Sequence, residues 1–212
     1  MKRSNWINIS FLVVFSSAIV GIFAFTVRSK KILVNNVTAL KDSIDKIIPR
    51  SEYMANLINV EFTENKQVYS FDSSKAYRLV DGSHEFYKYA NHIFKEGRKK
   101  LILRYTEIGC NSCADSTILF LKRHKKIATN YDILILVDFT NYDAYLKWRK
   151  ISEIDFPVLW VQKGELPFEI EQHNSSYLFT VNSSLEVDDF FIPNSMVPAF
   201  IHKYLNSIES KI

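Results

Sequence analysis

The two cysteines of the chain stand together as Cys110-Asn111-Ser112-Cys113. A thiolate, not a thiol, is the nucleophile in disulfide exchange, and unpaired N–H groups at a helix start favour it. Two intervening residues let the second sulfur reach back and resolve a mixed disulfide formed by the first. On this reading Cys110 is the exposed attacker and Cys113 the more buried resolver. The plainer reading is a structural disulfide, or two inert thiols. Zinc would require two further ligands. His84, His92, His124, His173 and His202 are scattered without the spacing of a metal site, so no metal is expected. Five glycines and no Gly-rich phosphate loop leave no cofactor to expect either.

The elements that must position this pair follow from apolar periodicity. Leu101–Tyr105 reads as a buried strand, and residues 111–128 as a helix with Ile118, Leu121 and Ile127 inward. Asp132–Val137 is the strongest strand signal, rich in branched aliphatic residues. Asn141 caps a helix running to Ile151, and Val158–Val161 is a third strand. Leu178–Val181 and Leu185–Phe191 flank Asn182-Ser183-Ser184 as a hairpin. Asn194, Ser195 and Pro198 open a last helix to Ser207. Such an order implies an α/β fold, a mixed sheet with helices on both faces. Upstream, 36–48 reads as a helix stopped by Pro49, 52–58 as a second helical stretch, and 60–81 as irregular with a short strand near 67–71. Phe86, Tyr89, Ala90, Ile93 and Phe94 fit one more helix, ended by Gly97.

Leu101-Ile-Leu-Arg-Tyr-Thr-Glu-Ile-Gly-Cys-Asn-Ser-Cys113 resembles the first core strand, loop and Cys-x-x-Cys helix start of the thioredoxin superfamily. The following order of elements is similar to that of its membrane-anchored envelope thiol–disulfide proteins, over about residues 84–212. The resemblance implies a thioredoxin-like mixed sheet and redox-active Cys110 and Cys113. Three positions depart from the family. Its Trp before the first cysteine is Gly109 here, and its buried acid falls on Arg104, leaving Glu107 in the loop as a substitute. Its cis-proline falls on Ser175 or Ser176.

From Trp6 to Val27 the chain carries no charge, a length that spans a bilayer as a helix. No small-x-small cleavage pattern follows it, which favours an uncleaved anchor over a cleaved signal peptide. No cysteine lies near the run, which excludes a lipoprotein anchor. The organisation expected is a tail at 1–5, a transmembrane anchor at 6–27, a helical stalk and linker at 28–83, and the thioredoxin-like domain at 84–212. The short tail stays cytoplasmic, which places the domain in the periplasm or an equivalent exterior space. A formal net charge of +4 in 212 residues, with no basic stripe interleaved with aromatics, excludes a nucleic-acid partner. The basic run Lys122–Lys126 reads as a solvated helix end, Asp138 as a turn residue, and Asp188-Asp189 as polar positions at a sheet edge. Two functions compete. One is a membrane-anchored thiol–disulfide oxidoreductase acting on cysteine-containing envelope proteins; the other is a redox-inactive thioredoxin-like binding module braced by its cysteines.

Overall fold

In the computed structural model, residues 3–109, 111–195 and 197–211 are described, without the side chains of 3–15, 17–19, 61 and 62. The chain divides into two units, 1–52 and 53–212. The first is helical throughout its described length, as part of helix α1 (Arg3–Glu64). Val37, Leu40, Ile44 and Ile47 are exposed on it. Pro49 does not stop α1, contrary to expectation. A proline removes one helical N–H at a local cost of about 3 kcal/mol. Helix-forming sequence on both sides lets α1 run across that single gap. Among the described residues no helix is long and apolar enough to cross a membrane. The expected span, 6–27, falls largely on residues whose side chains lie outside the description.

The second unit is organised around β4 (Lys100–Tyr105), whose every residue is buried, Lys100 and Arg104 included. It pairs in parallel with β5 (Asp132–Val137) and antiparallel with β7 (Tyr177–Val181). Beyond β7 lie β8 (Glu186–Phe191) and the two-residue β1 (Gln67–Val68). Beyond β5 lie β6 (Val158–Trp160), β2 (Lys75–Val80) and β3 (Ser83–Tyr89). The result is a mixed eight-stranded sheet in the order β1-β8-β7-β4-β5-β6-β2-β3.

Alternation along β4 assigns its side chains to two cores. Leu101, Leu103 and Tyr105 pack beneath α3 (Asn111–Arg123), α4 (Lys125–Asn130), α5 (Tyr142–Ile151) and α6 (Ala199–Ser210). Ile102 packs on the opposite face with Phe94 of α2 (Ala90–Lys95), Phe168 and Phe179. Arg104 also belongs to that second face by alternation. Helices on both faces of a mixed sheet are the arrangement expected.

Several boundaries differ from expectation. Residues 75–89 form a hairpin, not an irregular stretch leading into a helix. Its turn is Asp81-Gly82, with φ of 46° and 85°. Two successive positive φ values mark the tight turn that Asp-Gly favours between strands. Phe86 and Tyr89 fit a helical period yet are exposed strand residues, while Ala90, Ile93 and Phe94 are buried in the short α2. Strands β1 and β2 therefore join the sheet from sequence that reads as linker, and the compact unit begins at Tyr53 rather than at 84. The expected 111–128 helix breaks at His124 into α3 and α4. Asp189 is not an exposed polar position; it is buried, and accepts from the Thr180 hydroxyl at 3.0 Å and from Lys211.

Candidate functional site

The loop leaving β4 is held from both neighbouring strands. On the β7 side, Thr106 N–H donates to Ser176 Oγ at 3.1 Å, and the two hydroxyls lie 3.3 Å apart. On the β5 side, Glu107 N–H donates to Asp138 Oδ1 at 2.7 Å. Glu107 Oε2 accepts from the N–H and the hydroxyl of Thr140, each at 2.8 Å. A turn closes within the loop, Gly109 N–H to Thr106 O at 3.1 Å. The chain then enters α3 with Asn111, Ser112 and Cys113 in its first turn.

Gly109 explains one departure from the thioredoxin pattern. A Cβ on it would stand 2.4 Å from Thr106 Oγ1 and 3.1 Å from Asn174 O. No tryptophan, nor even alanine, fits there without moving the loop or the segment before β7. Ser175 and Ser176 lie directly before β7. Among the described residues every peptide bond is trans. Ser176 is buried and its hydroxyl faces the loop; Ser175 is half-buried.

Cys113 is disulfide-bonded and 5% exposed. The sequence holds one other cysteine, Cys110, which lies outside the described residues, as does its expected role as attacker. Ser195 N–H donates to Cys113 Sγ at 3.1 Å. Ser195 therefore covers the sulfur instead of opening a helix, and α6 starts later, with Pro198 as its N-cap. A cavity of about 80 Å³ adjoins the sulfur, lined by Thr117, Phe120, Pro193 and Ile201 among others. Cys113 thus sits at a helix start, shielded from solvent, with a backbone donor on its sulfur.

Below the loop lies a buried charge cluster. Arg104 is fully buried and forms a two-pronged pair with Glu171, Nε to Oε1 at 2.9 Å and Nη2 to Oε2 at 3.2 Å. Its Nη1 donates to Val161 O at 2.9 Å, and Asp138 Oδ2 stands 3.5 Å from Nη2. Glu171 also accepts from the Tyr177 hydroxyl at 2.7 Å and from Gly164 N–H at 2.8 Å. Burial pushes the Asp138 carboxyl above the usual carboxylate range, against the pull of Arg104 and the Glu107 N–H. Burial, with Glu171 adding to it, keeps the Tyr177 hydroxyl protonated well beyond the ordinary tyrosine range.

Asp138 is therefore a buried acid and not a surface turn residue. Glu107, by contrast, is half-buried, and its carboxylate accepts from Thr140. The signal available was Arg104 itself: a cation inside an apolar strand requires a buried carboxylate. Nothing in the sequence singled out Glu171, Thr106 or the Ser195 amide.

No protein-family model and no curated protein matches the chain. Among solved structures, a thiol:disulfide interchange protein from Bacteroides sp. is similar at 14% identity and a TM-score of 0.46, covering 67% of this chain and 90% of that one. A putative thiol:disulfide interchange protein DsbE from Chlorobium tepidum is similar at 12% identity and a TM-score of 0.47, covering 68% and 98%. StoA from Bacillus subtilis is similar at 14% identity and a TM-score of 0.39, covering 66% and 97%. Likenesses this distant add nothing to the topology itself. Strand order β8-β7-β4-β5 with β7 antiparallel to β4, and Cys113 in the first turn of the helix that follows β4, make this a thioredoxin-like fold.

Proposed function

We propose that this chain is a thiol–disulfide oxidoreductase, anchored in a membrane by residues 6–27 and exchanging disulfides with cysteine-containing envelope proteins. One observation carries the reading: disulfide-bonded Cys113 in the first turn of α3, its Sγ accepting the Ser195 N–H. A backbone donor is thereby aimed at the sulfur that bears negative charge once the pair opens, and charge-assisted hydrogen bonds are the stronger ones. With Cys110 as the partner sulfur, exchange runs in two balanced steps. A partner thiolate attacks Cys110 Sγ, which forms a mixed disulfide and releases Cys113 as thiolate. A second partner thiolate then attacks the partner's own sulfur in that mixed disulfide and releases Cys110. The partner loses two electrons and two protons, and the pair gains them; the reverse sequence reduces a partner disulfide.

The second reading, a binding module braced by a structural disulfide, is favoured by the crowded Gly109, the trans Ser175-Ser176 segment and Arg104 in the acid's place. A reduction potential separates the two. A value between about −270 and −120 mV supports a working couple, and one below about −300 mV supports the brace. Trapping tests the roles. Cys113→Ser should accumulate mixed disulfides with envelope proteins on non-reducing gels, and Cys110→Ser should trap none. Equal trapping by both variants removes the assignment of attacker and resolver.

A further inference from the structure

The apolar positions of α1 repeat with a period that thiol chemistry leaves unexplained. Leu33, Val37, Leu40, Ile44, Ile47, Ser51, Met54 and Ile58 follow one another at alternating steps of four and three residues. That is a heptad repeat, the signature of helices that wind around each other. In heptad notation Val37, Ile44, Ser51 and Ile58 take position a, and Leu33, Leu40, Ile47 and Met54 take position d.

Every apolar member of the repeat is exposed, from 36% at Met54 to 63% at Leu33. Within the second unit, other positions of α1 meet the domain. Tyr53 stacks on Phe200 with ring centroids 6.4 Å apart, and Leu57 packs against the core beneath α3 to α6. Met54 and Ile58 stay outside that contact. A continuous apolar stripe of this length left in water marks an interaction surface.

We propose that the stripe is the seam of a parallel two-stranded coiled coil formed with a second copy of this chain. Three observations choose that occupant. Branched Val37, Ile44 and Ile58 stand at a, while Leu33, Leu40 and Met54 stand at d, the distribution that favours two parallel strands. The flanks do not oppose it: across parallel helices Asn36 meets Lys41, Ser43 meets Ile48, and Arg50 meets Ala55, so no like charges face each other. The two interruptions are accommodated. Ser51 donates its hydroxyl to Ile48 O at 2.8 Å within its own helix. Pro49 takes position f, farthest from the seam, so its ring and the carbonyl it leaves unbonded both point away from the partner. The inference is independent of the redox reading, because no residue of the cysteine loop takes part.

The test weighs the full-length, detergent-solubilised protein by sedimentation equilibrium with the detergent density-matched. A mass of two copies is expected at micromolar concentration. Ile44→Glu sets two like charges against each other in the seam and should weaken the dimer at least about a hundredfold. Thr38→Glu, at b on the outer face, should leave it intact. Ile44 is exposed, so its replacement leaves the sheet and its cores untouched. Orientation is read with a short bismaleimide on oxidised protein carrying one added thiol, resolved on reducing gels. Leu33→Cys and Met54→Cys should each link to their own counterpart, and Asp42→Cys, at f, should not. A mass of one or three copies, a dimer that survives Ile44→Glu, or one lost equally in Thr38→Glu overturns the proposal. So does failure of either end position to link, the result of an antiparallel pair, or linking of Asp42→Cys to the same extent as the seam positions.

Discussion

Replacing Arg104 by methionine separates pairing from packing at the centre of the fold. The side chain is fully buried and Glu171 is 3% exposed, so solvent screens neither. Methionine fills much of the space but strands Glu171, which keeps only the Tyr177 hydroxyl and Gly164 N–H as donors. Removing one partner of a buried pair costs about 3–5 kcal/mol, a large share of the 5–15 kcal/mol that holds a domain together. Adding Glu171→Gln should return about 2 kcal/mol, because no charge is left stranded there and the amide can keep both partners, its oxygen accepting from Gly164 N–H and its NH2 donating to the Tyr177 hydroxyl oxygen. The assay is urea unfolding of the oxidised full-length protein near pH 7, followed by circular dichroism. A single variant within about 1 kcal/mol of wild type, or a double variant that costs the sum of the two singles, refutes the reasoning.

Gly109→Ala should lower the melting temperature, since its Cβ meets Thr106 and Asn174; a loss of about 1–3 kcal/mol is expected, and an unchanged melt would show that the loop yields freely. Ser176→Ala removes the acceptor of the buried Thr106 N–H and should cost about 1–3 kcal/mol by the same measurement. Asp138→Asn should gain on wild type as pH rises through the acid range. Burial raises the native carboxyl, so Asp138 contributes most when protonated and that contribution is lost on ionisation. A variant whose deficit widens with rising pH contradicts this. For orientation, protease added to intact spheroplasts should digest residues 29–212, and protection until lysis would reverse the assigned topology.

The parts of this fold that follow a short-range rule were legible in the sequence. β4 and β5 are mostly apolar runs, Asn141 caps α5 through its own side chain at 2.8 and 3.1 Å, and Cys113 falls in the first turn of the helix after β4. The hairpin over 75–89 obeyed such a rule too, since Asp81-Gly82 is its turn signal. A helical period shared by an exposed strand and a buried turn concealed it. The inner half of the site was not legible, because it depends on pairs distant in the chain. Arg104 announces that a carboxylate must exist without saying where, and Glu171 is 67 residues away. Ser195 resembles a helix cap and instead donates to a sulfur 82 residues upstream.

The outermost pairing of the sheet bears on how the chain is made. Among the described residues β1 pairs with β8 alone, through Gln67 with Val187 and Val68 with Glu186. Loop closure over such a separation is slow, and contacts of this range govern folding rates. During vectorial synthesis the amino-terminal segment emerges first, and β1 follows it with no edge to join. Nearly all of the remaining chain must be translated before β8 arrives. Tyr53 waits for the same event, since its hydroxyl donates to Ile192 O at 2.7 Å. The earliest strand of this protein is therefore among the last to be secured, and the carboxy-terminal hairpin secures it.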